Sequence, residues 1–145
     1  MRGRFGDGVY FAEDIGKSDQ YCGVVDEEAA RDVTAKLGIQ DADGARLVFV
    51  CRVTLGCFLQ LMRRGHQMGD PSKSAFVANR RELAVVDGTV TPHHSAIAEI
   101  KLGPNPFQDT HTELEGNALR FREFIVFNST QVYPEFLLVY KRVNK

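Results

Sequence analysis

The sequence predicts an α+β domain, and three observations carry that expectation. Runs of branched and aromatic residues at 9–12, 47–55, 121–127 and 136–140 read as strands. Helical patterning is confined to two short stretches, 14–21 and 26–37. With 145 residues, 43% hydrophobic and 26% charged, the chain is about one domain long, and a domain of that size buries roughly 70% of its unfolded surface.

In chain order, Val9 to Ala12 forms the first strand, and the stretch 14–21 a short helix opened by Asp14, whose charge suits the positive end of the helix dipole. Asp26, Glu27 and Glu28 begin the second helix, Ala29, Val33 and Leu37 follow at helical spacing, and Gly38 can close it. After the turn-like Asp41-Ala42-Asp43-Gly44, Leu47, Phe49, Cys51, Val53 and Leu55 alternate on one side of a strand whose first half is apolar on both faces. Residues 62–79 lack a sustained period and are rich in Gly, Pro, Ser and Lys, which predicts an irregular connection. Short strands are expected at 83–86 and around 96–100, before the Gly-Pro-Asn-Pro break. The segments 121–127 and 136–140 are apolar on both alternating faces, as in strands at the middle of a sheet, with 128–134 as their connection and Lys141, Arg142 and Lys145 solvating the end.

Composition excludes several classes. Net charge is −1, and the basic pairs Arg63-Arg64 and Arg80-Arg81 are isolated, so no electrostatic stripe for nucleic acid is visible. No apolar run approaches a membrane span, and residues 1–9 lack the apolar stretch of a secretion signal. Cys22, Cys51 and Cys57 are odd in number and form no Cys-x-x-Cys pair, which fits a reducing, intracellular compartment, nuclear or cytoplasmic.

Chemistry concentrates in two places. Between Gly6 and Cys22, Tyr10 offers a stacking face with a polar tip, while Ser18 and Tyr21 stand three apart and share a face if that stretch is helical. Such a set suits a flat, uncharged ring bearing a carboxamide. Glu123 shares a strand face with Phe121, Ile125 and Phe127 and is backed by Phe124 and Val126. A carboxylate inside an apolar sheet is costly, so this position should open to a cleft, pair with a base or act on a ligand.

The segment Gly8-Val9-Tyr10-Phe11-Ala12, running into Lys17-Ser18-Asp19-Gln20-Tyr21, resembles the nicotinamide-binding motif of the poly(ADP-ribose) polymerase family. Arg122-Glu123-Phe124-Ile125-Val126-Phe127 is similar to the family's strand bearing its catalytic glutamate, with Glu123 at that position. The run from Gln131 to Tyr140, Cys51-Arg52-Val53-Thr54-Leu55-Gly56 and His93-His94-Ser95 resemble segments of the tankyrase branch. The resemblance implies an ADP-ribosyltransferase-like fold with a twisted, mainly antiparallel sheet and short helices. It also implies cleavage of the nicotinamide–ribose bond of NAD and transfer of ADP-ribose, poly or mono, to protein acceptors. Glu123 and Tyr10 are then the expected catalytic residues, and Tyr10, Ala12, Lys17, Ser18 and Tyr21 the expected NAD-binding ones. Glu123 would stabilise the oxocarbenium-like ribose, Tyr21 would stack on the nicotinamide, and Ser18 would bind its carboxamide. Tyr10 would pack on the other side, Ala12 would be a small wall, and Lys17 would sit near the carboxylate as an opposite charge.

No metal is expected, because the histidines are scattered and the tankyrase Cys/His zinc insertion has no counterpart. The family's His-Gly pair is also absent: His66, His93, His94 and His111 are followed by Gln, His, Ser and Thr. Residues 1–145 are therefore expected to be the C-terminal part of a catalytic domain, with weak turnover by themselves. The sequence admits two rivals, a noncatalytic nicotinamide- or partner-binding remnant and a phosphate-transferring relative. Near-neutral charge argues against the second.

Overall fold

The computed structural model describes residues 3, 5–23, 27–40, 44–61, 66–67, 70–98 and 121–143. Along the chain run β1 (Val9–Ala12), α1 (Ile15–Asp19), α2 (Glu27–Lys36), β2 (Arg46–Val53), β3 (Phe58–Leu61), β4 (His66–Gln67), β5 (Asp70–Ser74), β6 (Ser95–Ala98), β7 (Glu123–Val126) and β8 (Val132–Tyr140). The α+β class read from the sequence holds. Two units are distinguished: Met1–Asp14 with Val53–Val132, and Ile15–Arg52 with Tyr133–Lys145.

In the first unit, the described strands form a sheet in the order β1-β7-β6-β3-β4-β5. The β1/β7, β7/β6, β3/β4 and β4/β5 pairs are antiparallel, and β3/β6 is parallel. Cross-strand partners share a face, so the register places Leu59, Leu61, Ala96, Ala98 and Ile125 on one side of the sheet. All five are buried, and Phe5, Ala75 and Leu83 pack into the same cluster from flanking segments. Each large side chain buried there contributes about 1.5–3 kcal/mol. Gly6 makes the turn before β1 possible, since its φ of +108° suits glycine and a Cβ would lie 2.7 Å from the Phe76 ring and 2.9 Å from the Arg80 carbonyl.

Several expectations need correction. Residues 70–74, read as irregular, form β5, with Pro71 tolerated because β5 is an edge strand. A bulge between His66 and Gln67 interrupts the regular register there; residues 62–65 and 68–69 lie outside the described residues. The apolar run 83–86 forms no strand, because its pairing stops at single bridges from Leu83 to Phe76 and from Val85 to Pro92. The strand expected around 96–100 is met by β6 over Ser95–Ala98; residues 99 and 100 lie outside the described residues.

In the second unit, α2 ends as the sequence implied. Gly38, at φ +70°, sends its N–H to the Ala35 carbonyl, while the Ile39 N–H reaches the Thr34 carbonyl at 2.8 Å, a Schellman closure. The expected apolar stripe is only partly realised, since Leu37 is exposed and Thr34 is buried; Asp26 lies outside the described residues. Strand β2 pairs with β8 in a two-stranded sheet. β7 is interior to its sheet as expected, but β8 is not, and Phe49, Tyr133 and Phe136 are exposed. β8 also begins earlier than expected, incorporating Val132, Tyr133 and Pro134, so the connection shrinks to a 3-10 turn at Ser129–Gln131 capped by Asn128.

Candidate functional site

Glu123 opens β7 between two small neighbours, with Ala12 of β1 opposite on one side and Ala98 of β6 on the other. Neither alanine carries a side chain beyond Cβ, so neither strand builds a wall beside the carboxylate. Glu123 is only 8% exposed, and alternation puts it on the same face as Ile125. Tyr10 pairs with Ile125 and therefore shares that face, diagonal to Glu123. The structure thus brings Tyr10, Ala12 and Glu123 together on one surface of the sheet. Ala98 was missed by sequence reasoning: a small residue in a buried strand carries no signal until the register shows what it stands beside.

Arg122 precedes β7, and its guanidinium forms a forked bridge to Glu13, Nε to Oε1 at 2.9 Å and the terminal nitrogen to Oε2 at 2.6 Å. It also lies 5.4 Å from the centroid of the Phe124 ring. The bridge ties together the ends of β1 and β7 beside the Ala12–Glu123 pair. Being partly exposed, it contributes at most about 1 kcal/mol, but its two-pronged geometry fixes orientation.

The Tyr10 ring packs against the core cluster, and its hydroxyl is committed at both ends. It accepts the Phe5 N–H and donates to the Gly6 carbonyl, each at 2.8 Å. Burial pushes the phenol pKa up; the Phe5 N–H works against this, and the negative charge of Glu123 adds to it. Tyr10 is therefore a neutral phenol with a fixed hydroxyl rather than a base.

Lys17, Ser18 and Tyr21 belong to the second unit. Lys17 and Ser18 lie on α1, and Tyr21 lies just beyond it, its N–H bonded to the Ser18 carbonyl at 3.0 Å. The helix is thus shorter than the expected 14–21, and Ser18 and Tyr21 are joined through one backbone turn. The Tyr21 side chain is 72% exposed. Lys17 Nζ stands 5.0 Å from its ring centroid and 3.4 Å from its hydroxyl. This leaves an aromatic face, a hydroxyl and an ammonium on one turn, a set able to bind a planar polar ring.

Behind that turn lies a contact the sequence did not suggest. Asp19, the last residue of α1, accepts the Tyr140 hydroxyl at 2.6 Å and Arg142 Nε at 2.8 Å. Arg142 donates as well to the Asp19 main-chain carbonyl at 3.0 Å. The expectation that Arg142 merely solvates the chain end is therefore corrected. Arg142, then Tyr140, hold the Asp19 carboxyl below the usual carboxylate range. Burial, then hydrogen bonds to Asp19 and Cys22, push the Tyr140 phenol well above its ordinary value.

The described histidine side chains are engaged with backbone. His93 Nδ1 lies 2.6 Å from the Ala84 carbonyl, and His94 Nδ1 accepts the Cys57 N–H at 3.0 Å. Among the described residues no cluster of three or more potential metal ligands occurs. No described helix is long and apolar enough to cross a membrane.

A family model, that of the poly(ADP-ribose) polymerase catalytic domain, matches residues 2–142. No curated protein matches the chain.

Proposed function

The chain belongs to the poly(ADP-ribose) polymerase catalytic domain family, and on that premise we propose that it takes part in ADP-ribosyl transfer from NAD to protein acceptors, with Glu123 as the acid that acts on the ribose. The family's activity is NAD-dependent ADP-ribosyl transfer. In that reaction the bond between the ribose anomeric carbon and the nicotinamide nitrogen breaks and the bonding pair leaves with nicotinamide. The acceptor's lone pair then forms the new bond to that carbon, and the acceptor proton passes to a base. Positive charge develops on the ribose, so a carboxylate hydrogen-bonded to its hydroxyls stabilises the transition state more than the ground state.

The observation that carries this reading is Glu123 itself, buried in an interior strand of its sheet between two alanines and on the same face as Tyr10. In the proposed roles, Ser18 donates to the nicotinamide carboxamide, Tyr21 stacks on the ring, and Tyr10 and Ala12 bound it. Lys17 supplies positive charge beside the Tyr21 ring, on the same turn. The likeness of Cys51-Arg52-Val53-Thr54-Leu55-Gly56 and of the run 131–140 to tankyrase segments supports placing the chain in that branch. An intracellular setting, with no nucleic acid or membrane partner, accompanies the proposal.

Titrating benzamide, a nicotinamide mimic, into the parent chain, Glu123→Gln and Ser18→Ala tests the roles. Binding should weaken in Ser18→Ala and change little in Glu123→Gln, while any transfer from labelled NAD should vanish in Glu123→Gln. Equal benzamide affinity in all three would overturn the reading. A second reading is a nicotinamide binder without transfer, which the exposed Tyr21 ring with Lys17 beside it on the same turn would serve as well. Benzamide binding with no labelled product in the parent chain would select it.

A further inference from the structure

Helix α1 has five residues and buries none of them. Helices this short are not stable alone, so its orientation has to come from outside. Its last residue is an acid, which opposes the partial negative charge at a helix C-terminus. An aspartate there is explained if something else requires it, and the structure supplies the requirement. Tyr140 at the end of β8 donates to its carboxylate at 2.6 Å. Arg142 binds both its carboxylate, at 2.8 Å, and its main-chain carbonyl, at 3.0 Å. The same cation thus offsets the dipole and satisfies the terminal carbonyl. From β2, Arg46 donates to the Cys22 carbonyl and holds the far side of the turn that carries Tyr21.

We propose that Asp19, Tyr140 and Arg142 are positioning residues that fix α1 on its strand, so that Ser18 and Tyr21 meet the carboxamide-bearing ring in one geometry. This rests on the roles given above to Ser18 and Tyr21. Asp19 follows Ser18 directly, and the Ser18 carbonyl accepts the N–H groups of both Tyr21 and Cys22. A rotation of Asp19 therefore displaces the hydroxyl and the ring together. The clamp touches no substrate atom; it acts by limiting how many arrangements of the turn compete with the binding-competent one.

The test is benzamide titration of the 145-residue chain, followed by 19F NMR of 3-fluorotyrosine placed at position 21. It compares the parent with Tyr140→Phe, Asp19→Asn, their double variant and Ser18→Ala. Tyr140→Phe keeps the ring in place and guards against a simple failure to fold, and urea unfolding of each variant separates stability from affinity. The expected result is about tenfold weaker binding in each single clamp variant, at a concentration of urea where all remain folded. The double variant should be no weaker than the worse single, and the position-21 resonance should be heterogeneous before ligand is added. Parent-like binding and a single resonance in both clamp variants, with Ser18→Ala weakened, would overturn the clamp alone. Unchanged binding in Ser18→Ala would overturn the parent reading and the clamp with it. A loss of affinity fully accounted for by the unfolded fraction would likewise overturn the positioning role.

Discussion

Replacing Tyr10 by Phe separates what the Tyr10 ring does from what its hydroxyl does. The substitution keeps the ring against the core but removes an oxygen that accepts the Phe5 N–H and donates to the Gly6 carbonyl, both at 2.8 Å. Phe5 is fully buried and Gly6 is buried too, so water does not readily replace the lost partner. Two net hydrogen bonds are worth about 1–3 kcal/mol, and a stranded buried donor adds about 1 kcal/mol more, giving a destabilisation of roughly 2–4 kcal/mol. With a urea m-value of about 2 kcal/mol/M, the unfolding midpoint should fall by roughly 1–2 M. Circular dichroism across a urea series measures it. Benzamide affinity, read under conditions where the variant is folded, should stay close to that of the parent, because the stacking surface survives. A midpoint shift below about 0.3 M would refute the structural account of the hydroxyl, and a large affinity loss at full folding would give that hydroxyl a direct role in binding.

Ala98→Leu places three extra carbons beside Glu123 on a fully buried strand. It should cost about 1–3 kcal/mol by overpacking and abolish transfer while leaving benzamide binding to the α1 turn intact, as paired activity and titration measurements would show. The pH dependence follows from Asp19. Arg142 and then Tyr140 lower its pKa in the folded protein, so the stabilisation it gives is complete above the unfolded value near 4 and is lost as pH falls through the folded one. The gap in urea midpoint between the parent and Asp19→Asn should be widest at neutral pH and close under acid; a constant gap would contradict the clamp's charge state.

What the sequence made legible was local. Val9 to Ala12 and Glu123 to Val126 announce strands by side-chain type, and the acid among apolar residues at position 123 stands out without coordinates. Gly38 declares the end of α2 because few other residues adopt its backbone conformation. What stayed hidden depends on pairing between distant segments. Asp19 and Arg142 are separated by 123 positions, so Arg142 reads as one more solvated cation. Pro71 and Pro134 argue against strands until each is placed in β5 and β8, which are edge strands among the described residues. Ala98 gains meaning only from its place across from Glu123.

The forked bridge from Arg122 to Glu13 also bears on how the chain tolerates error. Neighbouring residues of a strand face opposite ways, so sliding β7 past β1 by a single step would swing a guanidinium to where the acid belongs and reverse the charge offered on that surface. Such a slip would also pull apart the cation and its carboxylate partner. The bond that joins the strand ends is therefore made only in the native register, and it adds its small share to the penalty on a misthreaded sheet.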